Sequence, residues 1–118
     1  PQALFMMNSD FVSRVTENLA RRLLAERRTA DEERVRQVWL ATLGKEPTSD
    51  EASEALDYIR AFESEAAEKD LQEVETSRQD GSHRSPDYPA YYYGGATLAA
   101  WQSYCRVLLA SNDFIYIQ

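Results

Sequence analysis

The residues of this chain that could carry chemistry are few, and their spacing does not bring them together. Cys105 could act as a nucleophile, and His83 is the single histidine that could serve it as a base. A nucleophilic thiol needs a neighbouring base and an accessible position. Cys105 instead falls on an apolar series, Leu98, Trp101, Cys105 and Leu108, spaced one helical turn apart, while His83 sits among turn residues. Cys105 therefore reads as a small core residue, and His83 as a surface loop residue. The carboxylates Glu51, Glu54 and Asp57 form i, i+3 pairs. Paired carboxyls can cleave glycosidic bonds when they face each other across a cleft; along one helix face they read as a solvated surface. Asn8-Ser9-Asp10 and Ser111-Asn112-Asp113 offer oxygen ligands. A calcium loop, however, alternates carboxylates through one segment and ends on a distal Glu, so helix caps and turns explain both phrases better.

One aromatic group stands apart. Tyr88, Tyr91, Tyr92 and Tyr93 run into Gly94-Gly95, and Trp101 follows on the next helix. A loop rich in Tyr and Gly presents flat, amphipathic rings to a sugar or a partner protein. The competing reading folds these rings over the core. The five are candidate contacts for a ligand or partner, and no residue is assigned as catalytic, cofactor-binding or metal-binding.

These residues must be positioned by a small scaffold. A chain of 118 residues is expected to form a single helical domain over 1–118, with enough chain for one core. Four Gly and four Pro in the whole sequence favour helix. The net charge of −7 argues against nucleic acid as a partner. The charge is uneven: residues 14–36 hold seven Arg against five acids, and 49–80 hold eleven acids against three bases. Two solvated helix faces of opposite sign account for this; the sharper alternative pairs them with each other or with a neighbouring domain. A single cysteine excludes an internal disulfide, and neither a zinc spacing nor a Cys-x-x-Cys-His haem attachment occurs. No apolar run reaches the ~18 residues of a membrane span, and no signal peptide is visible. The chain opens at Pro1 without an initiator Met, which reads as a piece of a longer protein.

The spacing predicts a bundle of four main helices. A short apolar turn over 1–7 leads to Ser9, a good N-cap. The first helix then runs to about Arg27, with Phe11 or Val12, Val15, Leu19 and Leu23 as its buried stripe. Thr29 or Asp31 can cap the second, which carries Val35, Val38, Trp39 and Thr42 on one side, broadened by Leu40 and Leu43, and stops at Gly44. Thr48-Ser49-Asp50-Glu51 is a capping box for the third. Its core face is Ala52, Ala55, Leu56, Ile59 and Phe62; it either continues to about Arg78 as a solvated helix or breaks near Lys69. Residues 79–97 read as an irregular Tyr/Gly-rich loop. The fourth helix buries Leu98, Trp101, Cys105 and Leu108, with Tyr104 and Leu109 beside them. Residues 113–117 read as a pinned C-terminal tail. Short links between the first three helices favour antiparallel neighbours.

A phrase occurs near both ends, Asn8-Ser9-Asp10-Phe11-Val12 and Asn112-Asp113-Phe114-Ile115, and acts as helix punctuation. Three motifs surround it. The first is Pro1-Gln2-Ala3-Leu4-Phe5 with Asn8-Ser9 and Phe11-Val12. The second is Leu43-Gly44 with Pro47-Thr48 and Glu51. The third is Trp101, Cys105, Leu108-Leu109, Ser111-Asn112 and Phe114-Ile115-Tyr116. In this order they resemble the C-terminal part of the planctomycete cytochrome-associated C-terminal domain family, a domain of unknown function. Lys45, where that family usually has Arg, and Asp10, where Pro is common, depart from the pattern.

The resemblance implies a large, exported or periplasmic bacterial parent, with a possible c-type haem on an upstream domain and no cofactor in this fragment. It implies no established activity and supplies no catalytic residue. The expectation is a non-catalytic packing or interaction module whose partners are the upstream domains of the same chain. The alternatives are a carbohydrate- or ligand-binding module using the tyrosine loop, which would contact polysaccharide or another protein, and part of an enzyme site completed upstream.

Overall fold

The computed structural model describes residues 9–80 and 90–111, with side chains described for 10–69 and 95–111. Four helices make up these residues: α1 Ser9–Ala25, α2 Asp31–Leu43, α3 Ser49–Asp80 and α4 Ala90–Ala110. No strand occurs among them, so the all-α expectation is met. The leading turn over 1–7, His83 and the tail over 113–117 lie outside the described residues.

Helix α4 is central. It packs chiefly on α3 and α1 and also meets α2, while α2 joins α1 and α3 more lightly. Its inner stripe follows the sequence: Leu98, Trp101, Tyr104, Cys105 and Leu108 are all buried. They meet Ala20 and Leu23 of α1, Val35, Val38 and Trp39 of α2, and Ala55, Leu56 and Ile59 of α3 in one apolar cluster. Leu19, Leu24, Leu43, Ala52 and Phe62 pack against its edge.

Helix α1 is rotated from its expected setting. Val12, Thr16, Ala20 and Leu23 face inward, whereas Phe11 is 49% exposed and Val15 36%. Of the two expected starts, Phe11 and Val12, the inner stripe takes Val12, and Thr16 fills the place expected for Val15. Burying Thr16 is tolerable because its hydroxyl donates to the Val12 carbonyl at 2.6 Å, leaving no unsatisfied polar group. The rotation also suits α4, whose Gln102 amide donates to the Ser13 carbonyl at 3.2 Å and whose Arg106 donates to the Ser13 hydroxyl at 2.6 Å. A spacing rule that counts only apolar residues cannot see these bonds.

Helix ends follow local chemistry, with one exception. At α2 the N-cap position is Ala30, with φ −68° and ψ 152° and no side-chain cap; neither Thr29 nor Asp31 fills that role. Asp31, Glu32 and Glu33 instead place negative charge in the first turn, where the helix dipole favours it. Gly44 closes α2 at φ 72°, its N–H bonded to the Trp39 and Leu40 carbonyls; this left-handed setting suits glycine. The capping box of α3 forms as read. The Glu51 N–H donates to the Thr48 hydroxyl at 3.1 Å, and the Thr48 N–H donates to the Glu51 carboxylate at 2.9 Å.

The third helix takes the longer of its two expected courses, and helix also occupies described parts of 79–97, expected to be irregular. Helix α3 passes Lys69 without a break and continues to Asp80, 32 residues in all. At about 1.5 Å per residue it is about 48 Å long, close to the 49 Å longest dimension of the molecule. Helix α4 includes Ala90, so Tyr91, Tyr92 and Tyr93 fall on a helical turn, and within α4 the backbone leaves helical geometry at Gly95, φ 79°. A Cβ at Gly95 would meet nothing within 4 Å. The conformation, not the space, calls for glycine there.

The oppositely charged segments do not pair with each other among the described residues. The ion pairs are local: Arg21 with Glu17, Arg34 with Asp31, and Arg36 with both Glu33 and Glu46. Arg34 is the exception in kind, because it is buried. Its guanidinium donates to the Leu23 carbonyl at 2.9 Å, the Glu26 carbonyl at 2.8 Å and Asp31 at 2.8 Å. It therefore caps the C-terminal end of α1 from inside α2, bonding the Leu23 carbonyl in its last turn and the Glu26 carbonyl just beyond it.

Two substitutions separate these roles. Arg34→Met should lower stability by about 2–3 kcal/mol in urea unfolding, because it strands carbonyls in a covered site. Asp31→Asn should cost under about 1 kcal/mol, because that carboxylate is half exposed and screened by water.

Candidate functional site

Spacing places Glu51, Glu54 and Tyr58 on one face of α3, at i, i+3 and i+7. The fold sets this face opposite Tyr104, Val107 and Leu108 of α4, with Trp39 and Leu43 of α2 closing the end, to make a groove of about 370 Å³. Ser111, at the end of α4, completes its rim. Another concavity, of about 130 Å³, lies farther along α3 and is lined by Phe62, Glu65, Ala66 and Lys69 with Ala99.

The aromatic side chains of the groove are held by one another. The Trp39 ring N–H donates to the Tyr104 hydroxyl at 2.9 Å, a bond joining helices 65 residues apart in sequence. Tyr58 stacks on Phe62 with ring centres 6.3 Å apart and tilts against Tyr104 at 5.8 Å. The Tyr58 and Ser103 hydroxyls share a hydrogen bond of 2.5 Å. Rings fixed at both edge and hydroxyl lose little freedom when something lies on them. Burial pushes the Tyr104 hydroxyl above the ordinary tyrosine range. The Trp39 bond opposes that shift, and the charges of Glu51 and Glu54 add to it.

Of the candidate contacts read from the sequence, Trp101 is the one whose side chain lies among the described residues. Trp101 is 1% exposed and belongs to the core cluster. It cannot touch a ligand outside, because its stripe faces three helices at once. Tyr91, Tyr92 and Tyr93 lie on the first turn of α4, before Gly95, with side chains beyond those described. Tyr88 lies outside the described residues. The rings that line the groove are Trp39, Tyr58 and Tyr104. Sequence reasoning placed Trp39 on a core face, set Tyr104 beside one and passed over Tyr58. The available signal was that Tyr58 falls between Ala55 and Ile59 in sequence but off their stripe, on the same face as the Glu51 and Glu54 carboxylates.

Cys105 is fully buried. Burial pushes its thiol from 9.0 up to about 12, so the reactive thiolate is scarce at neutral pH. Among the described residues no group of three or more His, Cys, Asp or Glu side chains is placed to hold a metal. No described helix is long and apolar enough to cross a membrane.

These elements define an all-α helical module with an aromatic groove between α2, α3 and α4. The family model described as PSD1, protein of unknown function (DUF1553), matches residues 1–59, and the chain belongs to this family. The matched half spans α1, α2 and the start of α3, and so contains two of the three sequence motifs, including the Gly44 stop and the Thr48–Glu51 cap. The third motif, around Trp101, lies beyond it. No curated protein and no solved structure matches the chain.

Two measurements bear on this region. Tyr104→Phe should destabilise the fold by about 1–2 kcal/mol, since it leaves the buried Trp39 N–H without an acceptor. A thiol reagent should label native Cys105 only as fast as the chain opens. The folded thiol holds its proton above the pH at which the unfolded one loses it, so the Cys105 contribution should be constant below about pH 9 and decline towards about pH 12. A Cys105→Ala variant, otherwise weaker, should lack that decline in pH-dependent unfolding.

Proposed function

We propose that this chain is a helical packing and interaction module with no reaction of its own, carried towards the C-terminal side of a larger exported bacterial protein. The groove between α2, α3 and α4 is the observation that carries the reading. Its walls are aromatic and aliphatic, and two of its polar groups are already committed to structure. Glu51 holds the start of α3, and the Tyr104 hydroxyl receives the Trp39 N–H. Glu54 stands on the same helix as Glu51, and the facing wall brings Tyr104, Val107 and Leu108 rather than a second carboxyl. That arrangement suits adhesion better than acid–base work on a bond held between two carboxyls.

Export, and an upstream domain bearing a c-type haem, rest on analogy with the family. The haem would belong to that domain, since covalent attachment uses a Cys-x-x-Cys-His segment and the single cysteine here is buried. In this reading the partners are the upstream domains of the same chain, which the module holds in place.

Deleting residues 1–118 from the parent protein tests this directly. Haem content and turnover should stay unchanged, while the remaining domains become more open to limited proteolysis. Loss of turnover with haem content intact would instead give the module a share of a catalytic site.

A further inference from the structure

We propose that the groove between α2, α3 and α4 receives a basic, aliphatic peptide segment of a partner polypeptide, with a Lys or Arg stem lying along Tyr58 and its charged head at Glu54. This rests on the reading of the chain as an interaction module and names the chemistry of what it holds.

The shape and sign of the groove select that occupant. Its volume of about 370 Å³ falls within the ~300–1,000 Å³ common for ligand pockets. Its charged lining residues are Glu51 and Glu54, and no base is among them. Asp50 and Asp57, exposed on the same helix, extend the negative field. Arg106, the base next to Val107 in sequence, is turned towards α1 and bonds Ser13. The acids alone would not make a site. Beside them Tyr58, 36% exposed, and Val107, 45% exposed, offer apolar surface at the mouth. A long basic side chain matches both features at once, because its methylene stem covers apolar surface while its head stays with the carboxylates. The ring face of Tyr58 adds attraction for a cation, and its stacking on Phe62 and bond to Ser103 hold it ready.

The same sign disfavours other occupants. Nucleic acids and anionic lipid surfaces would meet the Glu51 and Glu54 charges with like charge. A second copy of this chain, at net −7, would bring further negative charge to the contact. A basic polypeptide segment meets no such opposition, and the carboxylates discriminate against acidic competitors.

Calorimetric titration of the chain with an acetylated, amidated hexapeptide alternating Leu and Lys tests the proposal, with the matching Leu/Glu peptide as control. The Leu/Lys peptide should bind and weaken as salt rises, and the Leu/Glu peptide should not bind. Glu54→Gln should weaken binding about tenfold, and Val107→Lys at least as much. Both positions are exposed, so unchanged circular dichroism would show that the fold is kept. Absence of Leu/Lys binding at millimolar peptide overturns the proposal, as do equal affinity for the two peptides and indifference to both substitutions. Self-association by sedimentation that Val107→Lys abolishes would assign the groove to a second copy and also overturn it. None of these outcomes touches the parent's turnover, which separately tests the module reading.

Discussion

The arrangement of this molecule depends on α4 having to satisfy three helices at once. Its inner face must fit α1, α2 and α3 together, so it carries side chains of very different size along one stripe. Trp101 fills the middle, Ala100 and Cys105 allow close approach, and Leu98 and Leu108 occupy the flanks. Close packing gives such a stripe little slack, because adding or removing a methylene is felt throughout a dense core. The other three helices contribute narrower stripes, and their chemistry is mostly that of surface and caps.

Polar atoms then decide how the helices are turned. Buried donors and acceptors are costly unless paired, and Thr16, Arg34, Trp39 and Tyr104 are each paired. Thr16 bonds back along its own helix, and Arg34 closes the end of α1. Trp39 and Tyr104 bond across the α2–α4 contact. The rotation of α1 that exposes Val15 and buries Thr16 follows from these pairings as much as from apolar area. Arg34 is the clearest case: a residue that looks like one more surface base holds the corner between two helices.

The groove is a by-product of the same arrangement. Helix α3 buries Ala55, Leu56 and Ile59 beneath it and so leaves Glu51, Glu54 and Tyr58 on the adjoining face. Helix α4 meets that face with Tyr104 and Val107. The result is a surface of fixed rings beside carboxylates, in a chain belonging to a family defined without a reaction. Of the potentially reactive side chains, Cys105 is buried and Glu51 is engaged in the cap of α3.

Much of the fold was legible in the residues themselves. The inner stripe of α4, the Gly44 stop and the Thr48–Glu51 cap depend on partners within a few positions, and the one- and three-to-four-residue rules describe such partners well. Whether α3 would break near Lys69 was open, since thinning apolar residues weaken a stripe without ending a helix. The candidate site was far less legible. Its defining contacts join Tyr58 to Ser103 and Trp39 to Tyr104 across 45 and 65 positions, and Trp101, read as a possible surface ring, proved to be the centre of the core. The sequence by itself determined that the chain is helical, where two of its helices are capped and which face of α4 is apolar, because each is a matter of neighbours along the chain. Only the tertiary structure decided the rotation of α1, the burial of Arg34 and which rings face outward, because each depends on what another helix places opposite.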